Sequence, residues 1–205
     1  MSGPDDPDLH DSNGPTAGPL DRERLHRVLS EIQRRGGIGR VVIDDAIAHA
    51  ELFVTALPDE VNGGRLIDLG SGGGLPGLVI AASRPDLEVT LVERRDKRAD
   101  LLRFGVRGLD AIARVRVVSG DVHGIARREA GEFDVVTARS FGPVSEVLRI
   151  AATLLRSGGC LIVSEPPPGS DRLSDAVVSA MMVDDGRVDG RAGAVHRWHR
   201  SSTPT

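Results

Sequence analysis

Five glycines in eight positions, Gly70, Gly72, Gly73, Gly74 and Gly77, break an apolar stretch, with Arg65-Leu-Ile-Asp-Leu69 before them and Leu78-Val-Ile-Ala-Ala82 after. Such a run predicts a strand, a tight turn and the start of a buried helix. Glycine tolerates positive φ and carries no Cβ, so the turn lets another molecule's atoms approach its backbone. The turn is therefore shaped to hold a ligand. Pro76 suits the first helical turn, where a missing N–H does no harm and a fixed φ is already helical.

Two cofactor patterns overlap in this turn. Gly72-x-Gly74-x-x-Gly77 satisfies the dinucleotide fingerprint, and Asp68-x-Gly70-x-Gly72-x-Gly74 satisfies that of class I S-adenosylmethionine (SAM) methyltransferases. In a dinucleotide site the helix dipole faces a pyrophosphate. Asp68, two residues before Gly70, opposes a pyrophosphate and suits the cationic amino-acid end of SAM. The sulfonium nucleoside is the favoured ligand.

At 205 residues the chain is long enough for one domain with a full core, and too short for a cofactor domain plus a separate catalytic one. Its 26 basic residues against 30 acidic give no global attraction to nucleic acid, so any RNA contact must come from a local patch. A single cysteine, Cys160, excludes an internal disulfide framework and a cysteine-cluster metal site, and no metal is expected. No apolar run approaches the roughly 18 residues of a membrane span and the N-terminus lacks a signal, so a soluble, cytoplasmic protein with no membrane partner is expected. Four phenylalanines, one tryptophan and no tyrosine leave no aromatic platform for stacking several bases.

Residues 1–20 are rich in proline, glycine and aspartate and predict a disordered acidic tail. Leu25, Val28, Leu29 and Ile32 recur at helical spacing up to Gly36-Gly37, and a second helix is expected from Ile43 to Leu57, stopped by Pro58. Residues 21–58 thus form an N-terminal helical cap on a cofactor-binding domain at 59–200, with 201–205 a tail. His49, beside the apolar side of the second helix, reads as a packing histidine because no partner acid is visible nearby.

Leu87 to Glu93 is a strand ending in a carboxylate about 20 residues beyond the turn, where one βα unit returns an acid to the ribose of a bound nucleoside. Glu93 can accept hydrogen bonds from both hydroxyls of a cis-diol. The positive excess of Arg94, Arg95, Lys97, Arg98, Arg103 and Arg107 then offers a phosphate-contact patch. Val115 to Ser119 is a third strand, followed by Gly120-Asp121-Val122-His123. There Asp121 either accepts an exocyclic amine or caps a helix, and Val122 can lie against an adenine ring.

Glu132 to Arg139 is a fourth strand, and residues 137–141 should look onto the reaction centre. Arg139 is suited to a bidentate carboxylate or phosphate, or else to a salt bridge with a helix. After an amphipathic helix, Val144 to Leu155, a glycine turn leads into a fifth strand, Cys160 to Val163. Farther on, a helix over residues 176–183 and an edge strand from Gly193 to Trp198 are expected.

This alternation predicts an α/β fold: a class I SAM-dependent methyltransferase, Rossmann-like, with a doubly wound parallel sheet and an N-terminal helical cap. Within it, Leu66-Ile-Asp-Leu-Gly-Ser-Gly-Gly-Gly-Leu-Pro-Gly77 resembles the signature of the bacterial 16S ribosomal RNA guanine-N7 methyltransferases, RsmG, also called glucose-inhibited division protein B. The Leu-Pro-Gly ending distinguishes it from generic SAM enzymes. Similarity continues through Arg84-Pro-Asp86, Val89 to Glu93, Lys97-Arg98, Phe133 to Arg139 and Leu154 to Gly159, and covers about residues 34–165.

The resemblance implies SAM as cofactor, 16S rRNA or the small ribosomal subunit as partner, and cofactor contacts at Gly70, Leu75, Glu93, Val122, His123 and Arg139. The chain departs from the family in having Val122-His123 for Ala-Glu, Ala48 for an arginine, and Val163-Ser-Glu-Pro166 for a Leu-Lys-Gly strand end. Guanine N7 presents a lone pair, so its methylation needs alignment but no general base, and no catalytic acid or base is assigned. Two other readings keep the cofactor: methylation of a small molecule, and a non-catalytic SAM-binding paralogue acting by interaction.

Overall fold

A computed structural model describes residues 21–164 and 182–201. Asp21 caps the first helix, α1 (Arg22–Arg34), by accepting the Arg24 amide at 2.8 Å. Leu25, Val28, Leu29 and Ile32 form the buried stripe of α1, and α2 (Ile43–Thr55) buries Ile47, Ala50 and Phe53 beside it. Burial of the Phe53 ring alone contributes about 2–3 kcal/mol. The second helix ends before Leu57, where Leu57 N–H bonds the Val54 carbonyl and tightens the last turn.

Then come β1 (Arg65–Leu69), α3 (Gly77–Ser83), β2 (Glu88–Glu93), α4 (Asp96–Gly108), β3 (Val115–Ser119), α5 (Val122–Arg128), β4 (Phe133–Ala138), α6 (Val144–Leu154), β5 (Leu155–Ser164), β6 (Met182–Gly190) and β7 (Gly193–Arg200). Among the described residues the strands form one sheet in the order β3-β2-β1-β4-β5-β7-β6. The pairs from β3 to β5 are parallel, and β7 runs antiparallel to both neighbours. The chain leaves β1 toward β2 and β3 and returns on the other side at β4. The β1–β4 gap is therefore the topological switch point, where open α/β sheets bind ligands beyond the strand C-termini.

Strand alternation sends Leu66 and Val135 to one face, where α1, α2, α3 and α4 close a core through Leu29, Ile47, Leu78 and Leu102. Ile67, Leu69 and Val136 face the other way, onto Ile125 of α5 and Leu148 and Ala151 of α6. The helical cap is thus part of a sheet face rather than an appendage.

The fold class is the expected one, with four local corrections. The last strands are not parallel: β7 is reversed and lies between β5 and β6, so the edge is β6. Val183, expected at a helix end, lies in β6. Residues 155–159 are not a turn ahead of β5 but its irregular first half, where the register jumps from Phe133↔Leu155 to Val135↔Cys160. Gly105, expected to loosen the end of α4, is buried within it, where a methyl group would meet Leu78 at 2.6 Å. The expected acidic tail, Glu165 and most of the 176–183 segment fall outside the described residues.

Candidate functional site

The glycine turn is held by its own backbone and by β2. Ser71 N–H reaches the Val92 carbonyl at 2.8 Å, Gly74 N–H returns to Ser71 at 2.7 Å, and Leu78 N–H to Gly74 at 2.7 Å. Gly70 has φ +67°, and a methyl there would meet the Phe141 ring at 2.5 Å. Both constraints require glycine. Gly73 packs against the cap so closely that a Cβ would lie 2.6 Å from the Gly37 carbonyl oxygen.

Glu93 is buried at the end of β2, and its two oxygens accept the amides of the turn and of its own loop, Oε2 from Gly72 at 3.2 Å and Oε1 from Arg95 at 2.9 Å. Each oxygen keeps a lone pair for a ligand. The carboxylate thus ties the turn to β2 while bordering a cavity of about 340 Å³, large enough for a small-molecule site.

This cavity gathers five of the predicted residues, Gly70, Glu93, Asp121, Val122 and His123, together with Phe141. Asp121 stands at the N-cap position of α5, yet its side chain makes no capping hydrogen bond and is exposed. Of its two expected roles, the geometry leaves the acceptor role open. Val122 is buried, and His123 Nε2 stands 3.4 Å from Glu146 Oε1 at the start of α6. Arg94, Arg95 and Arg98 also line the cavity, whereas Arg103 is drawn off by Asp100 at 2.7 Å.

The other predicted residues lie elsewhere. Gly72 and Gly74 form the turn backbone, and Leu75 packs against the core on the cap face. Asp68, expected to look onto the ligand in front of the turn, is instead fully buried beneath it. The reason is parity: Asp68 shares the cap face with Leu66, two residues before it. Thr137 donates to Oδ1 at 2.8 Å, while Ser71 Oγ bonds the Asp68 carbonyl at 3.0 Å. No hydrogen bond of good geometry reaches Oδ2, although Ser71 and the Gly77 amide lie near enough to favour its charge. Burial pushes the carboxyl up to about 6, against those hydrogen bonds and the charge of Arg139.

Arg139 follows β4 on the same face as Thr137 and does not reach the cavity. Its Nη1 is buried without a partner, so the expected alternative of a helix salt bridge is not formed through that atom. Burial lowers its pKa and the Asp68 charge raises it, and a guanidinium stays protonated throughout. His49 comes from α2 to within reach of that charge. Burial and Arg139 both lower its pKa, and its Nδ1 is buried and unpartnered. It packs against Phe53 with ring centroids 5.8 Å apart, as a packing histidine would.

Phe141 lay within the span expected to face the reaction centre. Glu146 escaped sequence reasoning, because an acid in a helix's first turn ordinarily reads as a partner for the dipole. Cys160 is buried and its thiol pushed up to about 12, so it is no nucleophile. Among the described residues no group of three or more His, Cys, Asp or Glu is placed to hold a metal ion.

A sheet of this order with a glycine turn after β1 and an acid after β2 defines a class I SAM-dependent methyltransferase. Solved structures share that fold: cofactor-bound Rv0187 from MTB has a TM-score of 0.65 at 19% identity, covering 89% of this chain and 91% of that one. A SAM-dependent O-methyltransferase from Thermotoga maritima scores 0.61 at 15% identity, over 87% and 72% of the two chains.

Sequence comparison is more specific. Residues 41–165 match the family described as rRNA small subunit methyltransferase G, and the chain belongs to that family. Ribosomal RNA small subunit methyltransferase G of Mycobacterium sp. (strain KMS) is 37% identical over 163 residues, 78% of this chain and 68% of that protein. Its counterpart from Salinispora tropica is 39% identical over 138 residues, 65% and 55% of the two chains.

Proposed function

We propose that this protein transfers a methyl group from SAM to N7 of a guanine in 16S rRNA, acting on the small ribosomal subunit in the cytoplasm. The observation that carries the proposal is the family match over residues 41–165, which spans the turn, the Glu93 loop and the Arg139 loop. Among the described residues no helix is long and apolar enough to cross a membrane, which accords with that setting.

The residues present fit a sulfonium nucleoside. Gly70, Gly72 and Gly74 open the turn, Leu75 stiffens it from the cap side, and Glu93 takes the ribose diol with its free lone pairs. Asp121 and Val122 take the adenine amine and ring, and His123 bounds that end. Asp68 and Arg139 take the amino-acid end, ammonium to carboxylate and carboxylate to guanidinium.

SAM supplies a methyl group made electrophilic by its positive sulfur. The guanine N7 lone pair forms the new bond as the carbon–sulfur bond breaks, sulfur keeps the electron pair, and the positive charge passes to the base. No proton moves, so the protein's part is alignment and the exclusion of water. This explains a site with carboxylates for binding and none assigned to acid–base chemistry.

Incubating the purified protein with SAM and small subunits from a strain lacking this gene, then mapping N7-methylguanine in 16S rRNA, tests the proposal. One new N7-methylguanine is expected. SAM binding with no rRNA methylation on subunits or naked RNA would overturn the choice of acceptor.

A further inference from the structure

Three of the buried side-chain polar atoms that lack a hydrogen-bond partner among the described residues are His49 Nδ1, Asp68 Oδ2 and Arg139 Nη1. Buried polar atoms are nearly always paired, so each orphan calls for an occupant. These three belong to one neighbourhood. Asp68 and Thr137 are register partners across the switch point, joined at 2.8 Å, and Arg139 follows two residues later on the same face. The charge of Arg139 bears on both Asp68 and His49.

Chemically the set is one anionic acceptor, one cationic donor and one imidazole nitrogen. An α-amino-acid zwitterion presents the complement: an ammonium for the acceptor and two carboxylate oxygens for the donors. We infer that His49, from the helical cap, is a third ligand of the amino-acid end of SAM, its Nδ1–H sharing the carboxylate with Arg139 while Asp68 takes the ammonium. This rests on the reading of SAM as cofactor and adds a residue to it.

The placement also gives the cap a function. α2 packs on α3, the helix that the glycine turn opens into, and Gly73 of the turn touches the loop between α1 and α2. A cofactor gripped by His49 is held from the sheet and from the cap at once. His49 then positions the reactive end against the β4 loop, whereas Glu93 positions the nucleoside.

The test uses calorimetry on the full chain with three ligands: S-adenosylhomocysteine, which has the whole amino-acid end; decarboxylated SAM, which keeps only the ammonium; and 5′-methylthioadenosine, which has neither. For His49→Ala, affinity for S-adenosylhomocysteine should fall roughly tenfold, the worth of one hydrogen bond to a charged group, and the other two should stay within about twofold. His49→Asn, which keeps a donor near the Nδ1 position, should recover most of the loss and covers the case in which the alanine variant fails to fold. Equal losses on all three ligands, or no loss on any, would overturn the assignment. Failure of the unaltered protein to bind S-adenosylhomocysteine would instead sink the cofactor reading beneath it.

Discussion

On the β2 side of the glycine turn both Glu93 oxygens are already held by backbone amides, whereas on the β4 side Asp68, Arg139 and His49 each keep a buried polar atom with no partner. The first arrangement is complete without a ligand and fixes the shape of the turn. The second is complete only when something with charges of both signs enters it. The nucleoside half is thus preorganised, and the amino-acid half stores unmet hydrogen-bonding capacity that binding discharges.

The harshest way to break this contrast is to remove the acid that makes the first half self-sufficient. Glu93→Ala deletes two hydrogen bonds between a carboxylate and backbone amides and should cost about 3–4 kcal/mol of stability in urea unfolding. Cofactor affinity should fall on the order of a hundredfold, since the turn loses its tie and the ribose its acceptor. If the variant stays as stable as the parent, Glu93 serves the ligand alone and the turn is held by its own backbone.

Asp68→Asn probes the other half with the opposite sign. A carboxyl raised from 3.8 to about 6 is bound to its proton more tightly in the folded chain than in the unfolded one, so the folded state loses stability as pH rises between those values. The loss remains in full above the upper value and is worth about 3 kcal/mol. The amide has no such titration but leaves an NH₂ unpartnered, so a net gain of about 2 kcal/mol is expected above pH 6. Affinity for SAM should drop roughly tenfold at the same time. Thermal melts across pH 3–8 check the stability and calorimetry the affinity; a variant less stable at pH 7 would show that the carboxylate is satisfied as it stands.

Gly70→Ala tests whether Phe141 seals the turn between the two halves. The methyl would sit 2.5 Å from the ring and at φ +67°, a combined cost of about 2 kcal/mol. Adding Phe141→Ala should return the steric part and leave about 1 kcal/mol of backbone strain, read as non-additivity in a double-mutant cycle. Full additivity would place the ring elsewhere in solution.

How legible these features were in the sequence follows the same division. The turn, the first five strands and the Glu93 loop were readable because glycine spacing, apolar runs and the length of one βα unit are local signals. β6 was not, since Met182-Val-Asp-Asp-Gly-Arg-Val-Asp-Gly190 is mostly polar and becomes a strand only by pairing with β7. β7 was read as an edge because nothing beyond it looked like a partner. The cavity residues lie at strand ends, which the periodicity locates, so they could be named. The role inferred for His49 could not, because its neighbours lie on β1 and just after β4, and no spacing in the chain announces that meeting. Asp68 was recognised but aimed wrongly, since a strand residue points to whichever face its parity dictates.

The smallest expected effect concerns the rim of the preorganised half, where this chain departs most visibly from its relatives. His123 and Glu146 stand 3.4 Å apart across the cavity with half and about a third of their side-chain surfaces exposed, 50% and 37%. An exposed pair of this kind contributes less than about 1 kcal/mol, and it carries opposite charges only when the imidazole is protonated. Glu146→Gln should therefore change SAM affinity less than about threefold at low salt, with the difference vanishing near 0.5 M as the charges are screened. A tenfold effect that survives high salt would mean that the pair touches the bound nucleoside directly. The division between a finished half and an unfinished one would then have to be redrawn to count the α6 N-terminus among the groups that wait for the cofactor.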